Sequence, residues 1–412
     1  MEQTTTVTYE ALMAALGYTE TPEIWRTGWE AAEASFPAEG LPFVTEAFLA
    51  DVQEICDFSD DILAELRSIC ARVREDASLT RLAWLWHTLA FECPTVAAWP
   101  NPPCLGAQAA MFPAVVQLSG LPRIFVLHHE RNIPRSVTRD TCRDLEVWMR
   151  HAKRYTGAWG FTRLIWMQHH CAGRLYRIGR LEFIHKPFPD GQVHVYRQGA
   201  TGAVQALSAP GIRYRRDGLI DGTNDRCEPN AWTATLERDE ESVRGYPIAP
   251  NGRASAEPVT LSLREWAPAL LPGDPILDMH IPADGRMHFA ECGESMRQAL
   301  EFFPRYFPEK PVARAFGCWS WLLDSQYEQL LPPNSNIVQF LREFYCFPQR
   351  SDDSDPFFRV FGTMPPDLRT APRDTALRRA MLDFTLTGNR LHMAAGFILI
   401  DGLAWGKAAY RR

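Results

Sequence analysis

The ten cysteines run irregularly from Cys56 to Cys346 without one Cys-x-x-Cys pair. In a chain of 412 residues that pattern excludes a disulfide framework and reads as reduced, mostly buried thiols. Three phosphate- and nucleophile-bearing motifs are also missing: G-x-G-x-x-G, the Walker A loop and G-x-S-x-G. Their absence removes the commonest nucleotide-binding and hydrolase readings. No long Lys/Arg block occurs. The densest basic run, Arg213-Tyr214-Arg215-Arg216, is followed at once by Asp217, and the net charge is −7. Nucleic acid is therefore a poor partner. Met1–Thr6 carries no basic region and no apolar signal core. No stretch approaches 18 uninterrupted apolar residues, so no membrane span is expected and the expected compartment is the cytoplasm. There is no internal repeat and no low-complexity tract.

What is present is an ordinary soluble composition, 46% hydrophobic and 23% charged, with length enough for two domains. Thirteen Trp and 23 Phe imply aromatic-rich cores or a greasy pocket. Helical periodicity fills the first 150 residues or so. Ile62, Leu66, Ile69 and Val73 form one stripe, Leu82, Leu85, Trp86 and Leu89 another, and Leu145, Trp148, Met149 and Ala152 a third. Usual helix lengths predict roughly five to eight helices over residues 1–155, interrupted by the Pro-rich stretch from Pro94 to Pro103. Gly157 and Gly160 around Trp159 mark the boundary with a second domain, residues 156–412. His128-His129-Glu130 and His169-His170-Cys171 contain metal-ligating residue types. Neighbours in sequence point apart on a strand and sit about 100° apart on a helix, so no metal site is expected.

In the second half, Leu175–Ile184 and Gln192–Gln198 read as strands separated by the turn signal Pro187-Phe188-Pro189-Asp190-Gly191. A polar, turn-rich stretch of about residues 199–272, with Asp217-Gly218, Asp221-Gly222 and Asn251-Gly252, reads as a β-rich insertion or an elaborated sheet edge. Ile276–Pro282 is a short apolar run with a stop signal, a buried strand. Ser295-Met296-Arg297-Gln298 has the form of a capping box, followed by the apolar face Met296, Ala299, Leu300 and Phe303. Ala315–Leu323 is the next strand. A strand leading by a loop into a capped helix start presents backbone N–H groups at the positive end of the helix dipole, a seat for an anion such as a pyrophosphate. Farther on, Asn334-Ser335-Asn336 opens a helix, Phe357–Gly362 reads as a strand, Asp374-Thr375 caps a helix closed by Gly388, and Leu391–Ile400 is a final apolar run.

That order resembles the GNAT N-acyltransferase fold. The wording of the chain resembles more closely a two-domain bacterial family with an N-acyltransferase N-terminal domain and a GNAT-like C-terminal domain. The residues that carry the likeness are Ile178-Gly179-Arg180-Leu181-Glu182-Phe183, His280-Ile281-Pro282-Ala283, Cys318-Trp319-Ser320-Trp321-Leu322-Leu323 and Ser335-Asn336-Ile337-Val338-Gln339-Phe340. The resemblance implies an α+β chain: an all-helical N-terminal domain, then a GNAT-like mixed sheet with flanking helices and the β-rich insertion. It implies an acyl-CoA-dependent N-acyltransferase, with acetyl-CoA or another acyl-CoA as co-substrate and an amine of a small molecule or peptide as acceptor.

The resemblance also places the donor. The strand Ile276–Pro282 should splay from Phe316–Leu323 and admit the pantetheine arm, with Ile281, Pro282 and Ala283 along it. Gly293, Ser295 and Met296 should lie near the diphosphate. The loop lacks the usual Arg/Gln-x-x-Gly-x-Gly/Ala wording, so Arg286 and Arg297 become the compensating cations for Glu291 and Glu294. Acyl transfer from a thioester requires a base for the amine, an oxyanion seat and an acid for the thiolate, and no metal. His280 is the first candidate base, against a core histidine. Glu182 is the second, against a salt bridge. Ser320 or Cys318 could face the acyl group, and Tyr345 stands near the place of the usual acid but out of register. Two alternatives stay open: a catalytically inactive GNAT-like acyl-CoA-binding or scaffold protein, and a transferase or hydrolase pairing Cys318 with His280.

Overall fold

The computed structural model describes residues 7–411; Met1–Thr6, where the signal-peptide reading falls, lies outside them. Two compact units divide the chain, Met1–Ile178 with Pro282–Gly285, and Gly179–Ile281 with Arg286–Arg412.

The first unit is helical. Eight α-helices run from Tyr9–Ala15 to Arg135–Thr156 among the described residues, and Leu164–Cys171 and the short strand Leu175–Ile178 follow. Ile62, Leu66, Ile69 and Val73 are all fully buried on Asp60–Glu75, so the 3.6-residue stripe marks the core face as the spacing requires. Trp25, Trp86, Trp99 and Phe112 form the aromatic centre, each ring within 5.0 to 5.5 Å of another. Met111–Glu130 has the length and apolarity to cross a membrane. It is two helices, and Met111–Leu118 is buried at every residue within this core. Arg135–Thr156 ends where Gly157 turns to φ +76°, a backbone conformation that glycine adopts without the penalty of a Cβ.

The second unit holds a mixed sheet in the order Leu181–Pro187, Pro275–His280, Ala315–Ser320, Ala394–Leu399, Tyr345–Pro348. Only the pair Pro275–His280 with Ala315–Ser320 is parallel, and the helix Phe289–Tyr306 makes the crossover a parallel pair needs. One face packs on that helix, through Phe303 beside His185. The other is covered by a second sheet in the order Arg253–Ala254, Pro247–Ala249, Val204–Ser208, Val193–Gln198, Trp266–Leu270. Ile276, Ala315, Ala395 and Phe397 pack there with Val195, Ala206, Ile248 and Leu270.

Several expectations change. The run read as one strand, Leu175–Ile184, is broken by Gly179 at φ +64°, and the strand restarts at Leu181. The strand expected at 192–198 leaves the main sheet and pairs with Val204–Ser208 and Trp266–Leu270. Residues 199–272 are thus no sheet edge; much of the stretch builds a second β layer over one face. Phe357–Gly362 is not a strand. Ser354–Phe361 is a helix that begins where the Asp352 carboxylate accepts the Ser354 N–H and ends at Gly362, φ +87°. Phe357 and Phe361 stack four residues apart, a helical spacing.

Candidate active site

The site begins with a ladder that stops short. Pro275–His280 and Ala315–Ser320 pair only at Ile276 with Ala315, Leu277 with Phe316, and Asp278 with Gly317. Each strand stays paired on its outer side to its end, His280 opposite Glu182 and Ser320 opposite Ala394. The ladder between them thus ends at Asp278 and Gly317 while each outer ladder runs on, and the unpaired ends of the two strands form a wedge.

Side chains alternate along a strand, and the register sorts them. Glu182, Lys186, Asp278, His280, Gly317 and Trp319 share the face toward the second sheet. His280 Nε2 lies 3.1 Å from Asp278 Oδ2, and Lys186 Nζ lies 2.5 Å from the same oxygen. The ammonium of Lys186 also sits over the Trp319 ring, 4.8 Å from its centroid. Burial pushes the Asp278 carboxyl up, but His280 and Lys186 outweigh it and hold its pKa below the ordinary carboxylate value. Glu182 is 1% exposed and stands directly opposite His280. Sequence reading missed Asp278 and Lys186, although an aspartate inside the apolar run Ile276-Leu277-Asp278-Met279, two residues from a histidine, was a signal for the pair.

Ser320 and Cys318 belong to the opposite face, so neither joins His280. The Ser320 hydroxyl accepts the Leu322 N–H and caps the following turn. Cys318 is 1% exposed, and burial, with Asp278 next, pushes its thiol well above the usual range. This removes the Cys318–His280 dyad, because a thiol nucleophile must reach the thiolate. Tyr345 is on a strand rather than a helix. Its hydroxyl donates to Ile248 O and accepts the Ala206 N–H, and burial pushes its pKa up to about 12. It cannot serve as the acid.

The expected phosphate seat also moves. The helix begins at Phe289, after His288, six residues before Ser295. Ser295 and Met296 are buried mid-helix, and Ser295 Oγ accepts the Leu181 N–H at 3.1 Å. Its hydroxyl fastens helix to strand instead of opening the helix. A Cβ on Gly293 would stand 2.4 Å from Trp405, so that glycine allows close packing rather than ligand approach. Arg297 is exposed and bonded to Glu294 and Glu301 along its own helix. The N–H groups of the first turn are those of Phe289, Ala290 and Glu291, and His288 offers no side-chain cap. Arg286 is exposed just before them, its carbonyl accepting Arg180 Nε at 3.0 Å. Of the loop residues, Ile281 is half-buried, Pro282 buried and Ala283 exposed. In the first unit Arg177 grips Asp284 with two bonds, 2.6 and 3.1 Å.

Of the histidines in the first unit's two motifs, His128 and His170 are buried, His169 is half-buried and His129 is exposed. His128 Nδ1 bonds Thr138 Oγ1 at 2.8 Å. His170 Nε2 lies 3.2 Å from Asp144 Oδ2, an oxygen that also accepts the indole N–H of Trp148 and of Trp166.

A mixed sheet whose parallel ladder stops short beside its crossover helix defines the GNAT class of acyltransferases. Residues 47–173 match the N-acyltransferase N-terminal domain and residues 175–398 the GNAT-like C-terminal domain. The chain belongs to the acyltransferase family that joins these two domains. Solved structures share the fold. An acyltransferase in complex with decanoyl-CoA and teicoplanin is 23% identical, with a TM-score of 0.64 over 95% of this chain and 99% of that one. One in complex with CoA and 10C-teicoplanin is 22% identical, with a TM-score of 0.65 over 95% and 99%. A mutant acyltransferase with octanoyl-CoA is 22% identical, with a TM-score of 0.64 over 95% and 98%. A search of curated proteins gives no match.

Proposed function

We propose that this acyltransferase moves an acyl group from an acyl-CoA to an amine of a small molecule or peptide, in the cytoplasm where the donor is made. The observation that carries the reading is the wedge. The unpaired ends of the two strands offer backbone groups to a ligand that can pair like an inserted strand, which suits the amide-bearing pantetheine arm. The fold neighbours that hold octanoyl-CoA and decanoyl-CoA support medium-chain donors beside acetyl-CoA.

The diphosphate lies at the first turn of Phe289–Tyr306, where three N–H groups and Arg286 meet it. The amine nitrogen attacks the thioester carbon, a C–N bond forms, and the carbonyl oxygen becomes an oxyanion. His280 takes the amine proton. Collapse breaks the C–S bond and releases CoA thiolate, which takes up the proton that His280 accepted, directly or through water, and returns the imidazole to its neutral form. Backbone N–H groups in the wedge are the oxyanion donors.

Calorimetric titration with CoA tests the donor site. Saturable binding is expected, and Arg286→Glu should weaken CoA roughly tenfold, the value of one charge-assisted bond, while a pantetheine fragment without the nucleotide binds as before. No heat and no thermal shift with CoA would remove the proposal. Equal losses for both ligands would move the diphosphate elsewhere. CoA binding without product from a panel of amines and acyl-CoA donors would favour an inactive acyl-CoA-binding protein.

A further inference from the structure

We propose that Asp278 and Lys186 are positioning residues that fix the tautomer of His280 and set its basicity from opposite sides. The proposal rests on His280 being the base. Asp278 is the organising group: its side chain is 5% exposed, and one of its oxygens, Oδ2, faces both His280 Nε2 and Lys186 Nζ. An ionised carboxylate only accepts hydrogen bonds. The ring nitrogen turned to it therefore carries the proton, and Nδ1 is left as the basic nitrogen. The carboxylate also stabilises the imidazolium that forms when the amine proton arrives.

Lys186 works against that second effect. Its ammonium shares Oδ2 and is held by Trp319 as well as by Asp278, so it partly neutralises the carboxylate before His280 feels it. With His280, it keeps Asp278 ionised. A base with a carboxylate alone would hold its proton; a base with an ammonium alone would not take one.

Three charged groups are placed on the face of His280 by the strand register. Asp278 lies on its own strand, and Lys186 and Glu182 on the neighbouring strand share its face. The strand across the wedge contributes Trp319 to this face, while His185 and Cys318 alternate to the other face. Glu182 is unchanged in the variants below, so its contribution cancels between them.

Two variants give shifts of opposite sign. In Asp278→Asn the ammonium acts unopposed, and the His280 pKa should fall by about one unit; in Lys186→Met the carboxylate acts unopposed, and it should rise by about as much. The imidazole resonance of His280, assigned by its loss in His280→Ala and followed through a pH titration by NMR, reads this directly. The acidic limb of kcat/KM should move with it, down in Asp278→Asn and up in Lys186→Met. Asp278→Asn should also lower kcat with KM for the donor little changed, because part of the enzyme then holds the wrong tautomer.

A His280 resonance that titrates alike in all three proteins, or moves the same way in both variants, overturns the proposal. Lys186 is more than a third exposed in its side chain, so Lys186→Met still decides the matter if Asp278→Asn folds poorly. The NMR result is independent of turnover. Resonance shifts of the expected signs with an unmoved rate limb would uphold the positioning and reject His280 as the base.

Discussion

Replacing His280 by alanine is expected to slow single-turnover acyl transfer by roughly 10²–10⁴-fold, the usual contribution of a general base, while CoA affinity stays near that of the parent protein. The imidazole is 30% exposed at the open end of the wedge, and its loss leaves Asp278 still paired with Lys186. Asp278 keeps a counter-charge, so the melting temperature should change little. A histidine built into the core would behave in the opposite way. Its truncation would strand buried partners at about 1–3 kcal/mol, and activity would fall only with the folded fraction. Melting and single-turnover measurements on the same protein separate the two. A destabilised variant with normal chemistry per folded molecule would return the role of base to Glu182.

Ser295→Pro should produce the largest loss of stability, about 3 kcal/mol or more from the interior of a helix. To that is added the Leu181 N–H, which loses its acceptor in a buried position. Urea denaturation gives the loss; Ser295→Ala, which frees the Leu181 N–H without bending the first turn, should leave CoA binding per folded molecule unaffected. An alanine variant of normal stability that no longer bound CoA would put Ser295 back beside the phosphates.

The contrast between Ser295 and Thr375 shows what local sequence can carry. Both stand at the head of a cap-like string. Thr375 caps Ala376–Leu386 as read, its hydroxyl accepting the Arg378 N–H. Ser295 has the same outward pattern but spends its hydroxyl on a strand more than a hundred residues away. The string Ser-x-x-Gln records a hydrogen-bonding capacity, and tertiary structure decides where it is used. A short apolar run failed for a related reason: Phe357–Gly362 fits either period, and only distant partners choose. The helical stripes were readable because burial on one face imposes its period directly, and the strand Ile276–Pro282 because burial on both faces leaves a short apolar run with a stop signal. The wedge could enter only through family resemblance, since where two strands stop pairing is a property of the pair. The Asp278–His280 pair, two residues apart on a strand, carried a signal that the reading passed over. Lys186 was not legible, because about 90 residues separate it from Asp278.

That separation has a kinetic consequence. Leu181–Pro187 meets Pro275–His280 across a loop of nearly 90 residues, and the same loop supplies most of the second β layer. Bringing such distant segments together before the intervening chain is ordered costs loop entropy without a local reward. The antiparallel hairpin of Val193–Gln198 with Val204–Ser208 closes over a handful of residues and can precede it. We infer that the small sheet forms first and serves as the surface on which the central ladder zips, which makes the catalytic wall one of the last parts of the molecule to exist. Pulse-labelled hydrogen exchange during refolding should protect the amides of 193–208 before those of 276–280. The reverse order would mean that the central ladder nucleates the fold.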